Sequence, residues 1–186
     1  MSAWVFLIPP ALVLGWFILT YNAMVRLRQQ VDESWSGIDT ELRRRYDLIP
    51  NLVDAVKGYA AHESRVLEAV VRARDRAATS GGTPGEQAVQ ERELTASVDR
   101  LLAVAEGYPD LKASAHFLQL QHELANTEDR IQAARRFFNA NVRDLNTRVA
   151  VFPSNLVASM AGFGAVEFFE VEKAAVRQAV DVTFID

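Results

Sequence analysis

The chain has 186 residues, of which 49% are apolar, a net charge of −4 and no cysteine. That length fits one domain with an appendage and allows a sizeable core. The charge gives no general reason to expect nucleic-acid binding. The missing cysteine excludes disulfides, zinc-thiolate sites and thiol catalysis, and leaves the redox compartment open.

The first element is an apolar segment. No side chain from Met1 to Val25 is charged, and the apolar run from Ala3 to about Leu19, extending weakly to Val25, is long enough to span a bilayer. A secretory signal peptide is the competing reading, but it needs a basic start and a small-residue cleavage site. The first Lys or Arg is Arg26, so a retained transmembrane anchor over residues 1–25 is favoured. Trp4 and Tyr21 lie about 25 Å apart on a helix, which suits aromatic anchors at the two interfaces. Pro9 and Pro10 must start the regular helix or kink it. Arg26 and Arg28 follow the span at once, so the positive-inside rule puts the amino terminus outside and the remainder in the cytoplasm.

Apolar residues at Met24, Val31, Trp35, Ile38, Leu42 and Ile49 keep the phase of one helix face. The anchor and the first soluble helix therefore read as one rod from about residue 10 to 47. Pro50, within "RRRYDLIPNL", disfavours helix at Ile49 and suits the first position of a new helix, which predicts a corner. In that corner Arg43 and Arg44 lie off the apolar seam and Arg45 lies on it. A second helix, through Leu52, Val56, Tyr59, Glu63, Leu67 and Val70, should run to about Ala78. The loop "TSGGTPGE" separates it from a third helix carrying Leu94, Val98, Leu101 and Ala105. "GYPD" at 107–110 marks another corner. Beyond it a heptad-like stripe from Phe117 to Phe152 predicts a long helix that lies along partners, as in a bundle or coiled coil. Phe152-Pro153-Ser154 ends it, and residues 155–161 suit a short helix. The fold class is all-α: an amino-terminal transmembrane helix, then a long antiparallel bundle over 26–162 and a carboxy-terminal tail over 163–186.

No motif for metal or cofactor chemistry survives inspection. "HELAN" at 122–126 has Asn where a zinc-protease motif has its second His. "QLQH" has Gln119 where a di-iron bundle has Glu. "GFGAVE" lacks the third glycine of a dinucleotide loop, and "GGTPGE" lacks the P-loop lysine. The expectation is therefore no catalytic, cofactor-binding or metal-binding residue. What stands out instead is a set of polar residues on or beside apolar faces: Asp39, Arg45, Asn51, Glu63, Arg74, Glu128, Arg135, Asn139 and Asn146. Singly buried charges are costly, so those inside should form a paired structural network that fixes helix register. Glu63, on the face of the second helix, is expected to pair with Arg45, Arg74 or Arg135.

The stretch Tyr21 to Glu63, with "AR" at 73–74, "YPDLKA" at 108–113, "LANTEDRIQAARRFFNANVRDLN" at 124–146 and "FPSNLVA" at 152–158, resembles the LemA family of bacterial membrane-anchored proteins. The resemblance covers nearly the whole chain and departs at Phe138, where Tyr is expected, and at Asp129, where Asn is more usual. It implies a membrane helix, a bundle of long antiparallel helices and no catalytic residues to carry over. It also implies an association with membrane organisation and compartment formation, hence a bacterial inner-membrane scaffold with the lipid bilayer and further copies of itself as partners. An adaptor that docks another protein in sensing or envelope quality control is the alternative.

The tail places Phe163, Val166, Phe168, Phe169 and Val171 within nine positions. Fully burying one such side chain is worth about 1.5–3 kcal/mol, so five should not stay in water. They are the candidate oligomer contact; docking on their own bundle or entering the membrane interface are the other destinations.

Overall fold

The three- and four-residue spacing of apolar positions builds six helices in the computed structural model, which describes residues 4–170 and side chains from residue 7. They are α1 (Trp4–Lys57), α2 (Ser64–Thr79), α3 (Pro84–Ala105), α4 (Pro109–Lys112), α5 (Ala115–Ala150) and α6 (Ser154–Ala161). The described residues contain no strand. The all-α architecture expected from the periodicity is thus present.

α1 and α5 run antiparallel and form the main axis of the bundle. The register can be followed along its length. Val149 packs on the cluster around Met24, Asn141 Nδ2 donates to the Gln30 carbonyl (3.4 Å), Trp35 meets Phe138 (centroids 5.3 Å apart), and Arg130 pairs with Glu41 (3.6 Å). Buried Val31, Ile38, Leu42, Ile49, Leu52 and Val56 on α1 face Phe117, Leu120, Ile131, Phe138, Val142 and Leu145 on α5 in one continuous core. α2 and α3 form a hairpin, which packs through α2 on the carboxy-terminal half of α1. Its turn ends in a capping box: Glu86 N–H donates to Thr83 Oγ1, Thr83 N–H donates to Glu86 Oε2, and Pro84 opens α3. The breaks expected at "TSGGTPGE" and "GYPD" fall in place.

The corner expected at Pro50 does not exist: α1 continues through it to Lys57, and the turn lies at 58–63. Proline carries no N–H, so the Tyr46 carbonyl, four residues back, loses its helical donor. Arg74 of α2 supplies a replacement, its Nε lying 3.3 Å from that carbonyl. The flanking Ile49, Leu52 and Val53 are all buried, so packing along α5 and α2 outweighs the local cost of the proline.

The amino-terminal part of α1 is the one helix among the described residues that is long and apolar enough to cross a membrane, with a mean hydropathy of 1.5 over its most apolar window. A core helix of a soluble protein would be mostly covered by its neighbours. Here only 11% of that window is buried by the rest of the chain, and Leu7, Leu12, Val13, Leu14 and Leu19 project freely.

Candidate functional site

The strongest concentration of buried polarity lies where α1, α3 and α5 meet. Arg45 sits on the seam of α1 and is 3% exposed. Its guanidinium donates to Glu91 of α3 through Nη2, and through Nη1 to Glu128 Oε2 of α5 (2.7 Å) and Thr95 Oγ1 (3.2 Å). Nη2 also reaches the Glu91 carbonyl at 3.3 Å, while Nε has no partner among the described residues. The other Glu91 oxygen accepts from the Tyr46 hydroxyl and from Gln87 Nε2 (2.7 Å). Gln87 Nε2 also lies 3.0 Å from Tyr46 Oη and 3.1 Å from the Ala77 carbonyl at the end of α2. One arginine thus ties α1 to α3 and α5, and the tyrosine beside it ties α1 to α2.

Burial holds the Tyr46 phenol well above its ordinary value, and the Glu91 carboxylate accepting its proton adds to the shift. The phenol is therefore a fixed donor at neutral pH. Arg45 and Glu91 engage each other directly and are both buried, so the cluster ties the helices together.

The expected network is only partly assembled. Arg45 and Glu128 are in it; Gln132 Nε2 further supports Glu128 at 3.1 Å. Arg74 serves the Tyr46 carbonyl and pairs with its neighbour Asp75. Glu63 does not pair with Arg45, Arg74 or Arg135. Because α1 runs on to Lys57, Glu63 is the N-cap of α2, where its backbone carbonyl accepts from Val66 and Leu67 N–H and its side chain makes no capping bond. Asp39 is half-buried and binds exposed Arg43 one turn on, and Asn51 faces solvent. Arg135 is half-buried and has no carboxylate partner among the described residues. The sequence reading missed Tyr46, Gln87 and Glu91. The last two stand four residues apart, and Glu91 precedes Leu94 by three, so the apolar face of α3 traced two turns further back would have reached both.

Asn139 and Asn146, seven residues apart on α5, form a second site. Asn146 Oδ1 accepts from Val166 N–H (2.8 Å) and its Nδ2 donates to the Val166 carbonyl (2.9 Å). Asn139 repeats the arrangement with Phe169, at 2.9 and 3.4 Å, and adds a bond to Glu170 Oε1 at 3.1 Å. Each amide offers one acceptor and one donor to a single extended residue, as a neighbouring strand would. Phe169 is consequently buried against Trp35 (centroids 5.6 Å apart), Val166 packs on the main core, and Phe163 stacks edge-on to Tyr21 at 5.9 Å. The clamp docks Phe163, Val166 and Phe169 on their own chain, one of the destinations open to them besides an oligomer contact. Phe168 is 36% exposed, and Val171 lies outside the described residues.

The antiparallel long helices and the internal polar ties define an all-α bundle continuous with an apolar amino-terminal helix. The chain belongs to the LemA family, whose profile matches residues 34–184. It is similar to the magnetosome protein MamQ of Magnetospirillum gryphiswaldense, 24% identical over 182 residues that cover 84% of this chain and 67% of MamQ. It is also similar to the LemA protein of Metamycoplasma hominis, 25% identical over 166 residues that cover 87% and 76% of the two chains. A MamQ protein of Paramagnetospirillum magneticum is 23% identical over 182 residues.

Proposed function

We propose that this protein is a non-catalytic, single-pass protein of the bacterial inner membrane that organises the membrane as a homo-oligomeric scaffold. The observation that carries the reading is α1 itself. One uninterrupted helix holds an uncovered apolar segment at one end and the bundle's central seam at the other, so the bundle is built onto its anchor without a linker. Arg26 and Arg28, directly after the charge-free span, favour a cytoplasmic bundle with the amino terminus outside. Membership of a family that includes magnetosome proteins supports an organising role over a chemical one, by analogy.

Particle mass after mild detergent extraction, combined with cross-linking in intact cells, tests the proposal. A defined multiple of the 20.7 kDa chain, with chain-to-chain cross-links, is the expected result. A monomer that gains mass only on adding a cross-linked second protein would replace the scaffold with a membrane-tethered adaptor.

A further inference from the structure

From Val149 to Val166 the chain carries no charge, the longest such run after the anchor. This stretch leaves α5, turns at 151–153, forms α6 and returns to the Asn146 clamp at Val166. Gly162, with φ 75°, caps α6 and reverses the chain there. One face of α6, Val157 and Ala158, packs on Met24 and Phe17 of α1, joined by Phe163. The other face is bare: Leu156 is 55% and Met160 77% exposed, and Phe152 in the preceding turn is 75% exposed.

The position of this bare surface along α1 gives it meaning. Phe17, Tyr21 and Met24, the residues that α6 and Phe163 touch, all precede Arg26, the first charge after the span. The apolar surface of α6 is therefore level with the end of the apolar segment, where Ile18 and Leu19 of α1 are also uncovered. Exposed Arg26 and Arg148 flank it on the bundle side, where anionic headgroups would meet them. We infer that α6 and the turn before it form a second membrane contact, seated at the boundary between headgroups and acyl chains, with Phe152, Leu156 and Met160 facing lipid. The turns on either side of α6 contain non-helical backbone that needs water, which keeps the segment in the interface and out of the hydrocarbon centre. The inference rests on α1 being the membrane anchor.

The full chain has no cysteine, so single substitutions report cleanly. Leu156→Cys and Met160→Cys, labelled with a polarity-sensitive fluorophore, would be compared in phosphatidylcholine–phosphatidylglycerol vesicles with two controls. Leu12→Cys marks the span. Phe137→Cys marks an exposed apolar residue, 63% accessible, at the level of the bundle. Blue-shifted emission at 156 and 160, quenched by lipid carrying a nitroxide near the headgroup and protected from aqueous iodide, is expected, with 137 open to iodide. Labels at 156 and 160 that answer to iodide while 12 answers to nitroxide lipid would overturn the inference and leave the anchor standing. Nitroxide insensitivity at 12 as well would overturn both. Labels at 160 that are protected from both quenchers and quench one another between chains would show a second copy on this surface and overturn the lipid assignment.

Discussion

Removing the charge of Arg45 should be among the most damaging single changes to this bundle. In Arg45→Met the stem is retained, but Glu91 loses its cation and Glu128 its main partner. The side chains of Arg45 and Glu91 are 4% and 8% exposed, so the carboxylate cannot recover its hydration in place. Breaking a buried pair in this way costs about 3–5 kcal/mol. At about 2–4 °C per kcal/mol for a chain of this size, the melting midpoint should fall by roughly 6–20 °C. Circular dichroism of the detergent-solubilised full chain measures it. Arg43→Met, which removes only an exposed pair two residues from Arg45, is the internal reference at about 0–1 kcal/mol. The double change Arg45→Met with Glu91→Gln should recover part of the loss, because it removes the stranded charge and keeps an amide oxygen to accept from Tyr46 and Gln87. A loss from Arg45→Met no larger than that of Arg43→Met would refute the argument. Equal losses in the single and double variants would show that the stranded carboxylate is not the cause.

Four further outcomes are expected. The raised Tyr46 pKa means the native state retains a proton that the unfolded chain releases near pH 10, so the contribution is complete below that pH and declines above it by about 1.4 kcal/mol per unit; Tyr46→Phe should flatten this decline in a stability–pH series. Asn139→Ala with Asn146→Ala should free the segment from Val166 to Phe169, seen as faster proteolysis beyond residue 163 with helicity of the bundle intact; unchanged proteolysis would deny the clamp. Arg74→Ala should cost about 1–3 kcal/mol beside Pro50 but clearly less in a Pro50→Ala background, where the alanine N–H can serve the Tyr46 carbonyl, and additive losses in that double-mutant cycle would sever the proposed link. A carboxy-terminal reporter should be active only in the cytoplasm, and Ser2→Lys with Ala3→Lys should weaken or invert that preference; a reporter active outside would reverse the topology.

Much of the architecture was legible because it rests on periodicity. The seam carrying Arg45 and the long stripe of α5 declare themselves in the spacing of apolar residues, the amino-terminal segment in its unbroken apolar run, and the break before α3 in the Gly and Pro of its loop. Pro50 was misleading because its local preference is overruled by packing on both sides of it and by a donor supplied from α2, 24 residues away. Glu63 was misplaced as a direct result, since moving the corner from Pro50 to 58–63 turns a mid-helix position into a cap. The role of Asn139 and Asn146 was only half readable. Their spacing puts them on one face, but their partners are backbone amides and carbonyls, which leave no trace in the identity of residues 166 and 169.

The continuity of α1 has a mechanical consequence. At 1.5 Å per residue its portion beyond Val25 extends about 48 Å to Lys57. In the proposed single-pass arrangement, with no hinge between span and bundle, the helix would act as a lever whose fulcrum is the bilayer surface. Transmembrane helices change tilt to match hydrocarbon thickness. A change of about 10° would swing the far end of this lever sideways by roughly 8 Å. A local thinning or thickening of the bilayer would thus be amplified into a displacement larger than a side chain, at the end of the molecule farthest from the lipid.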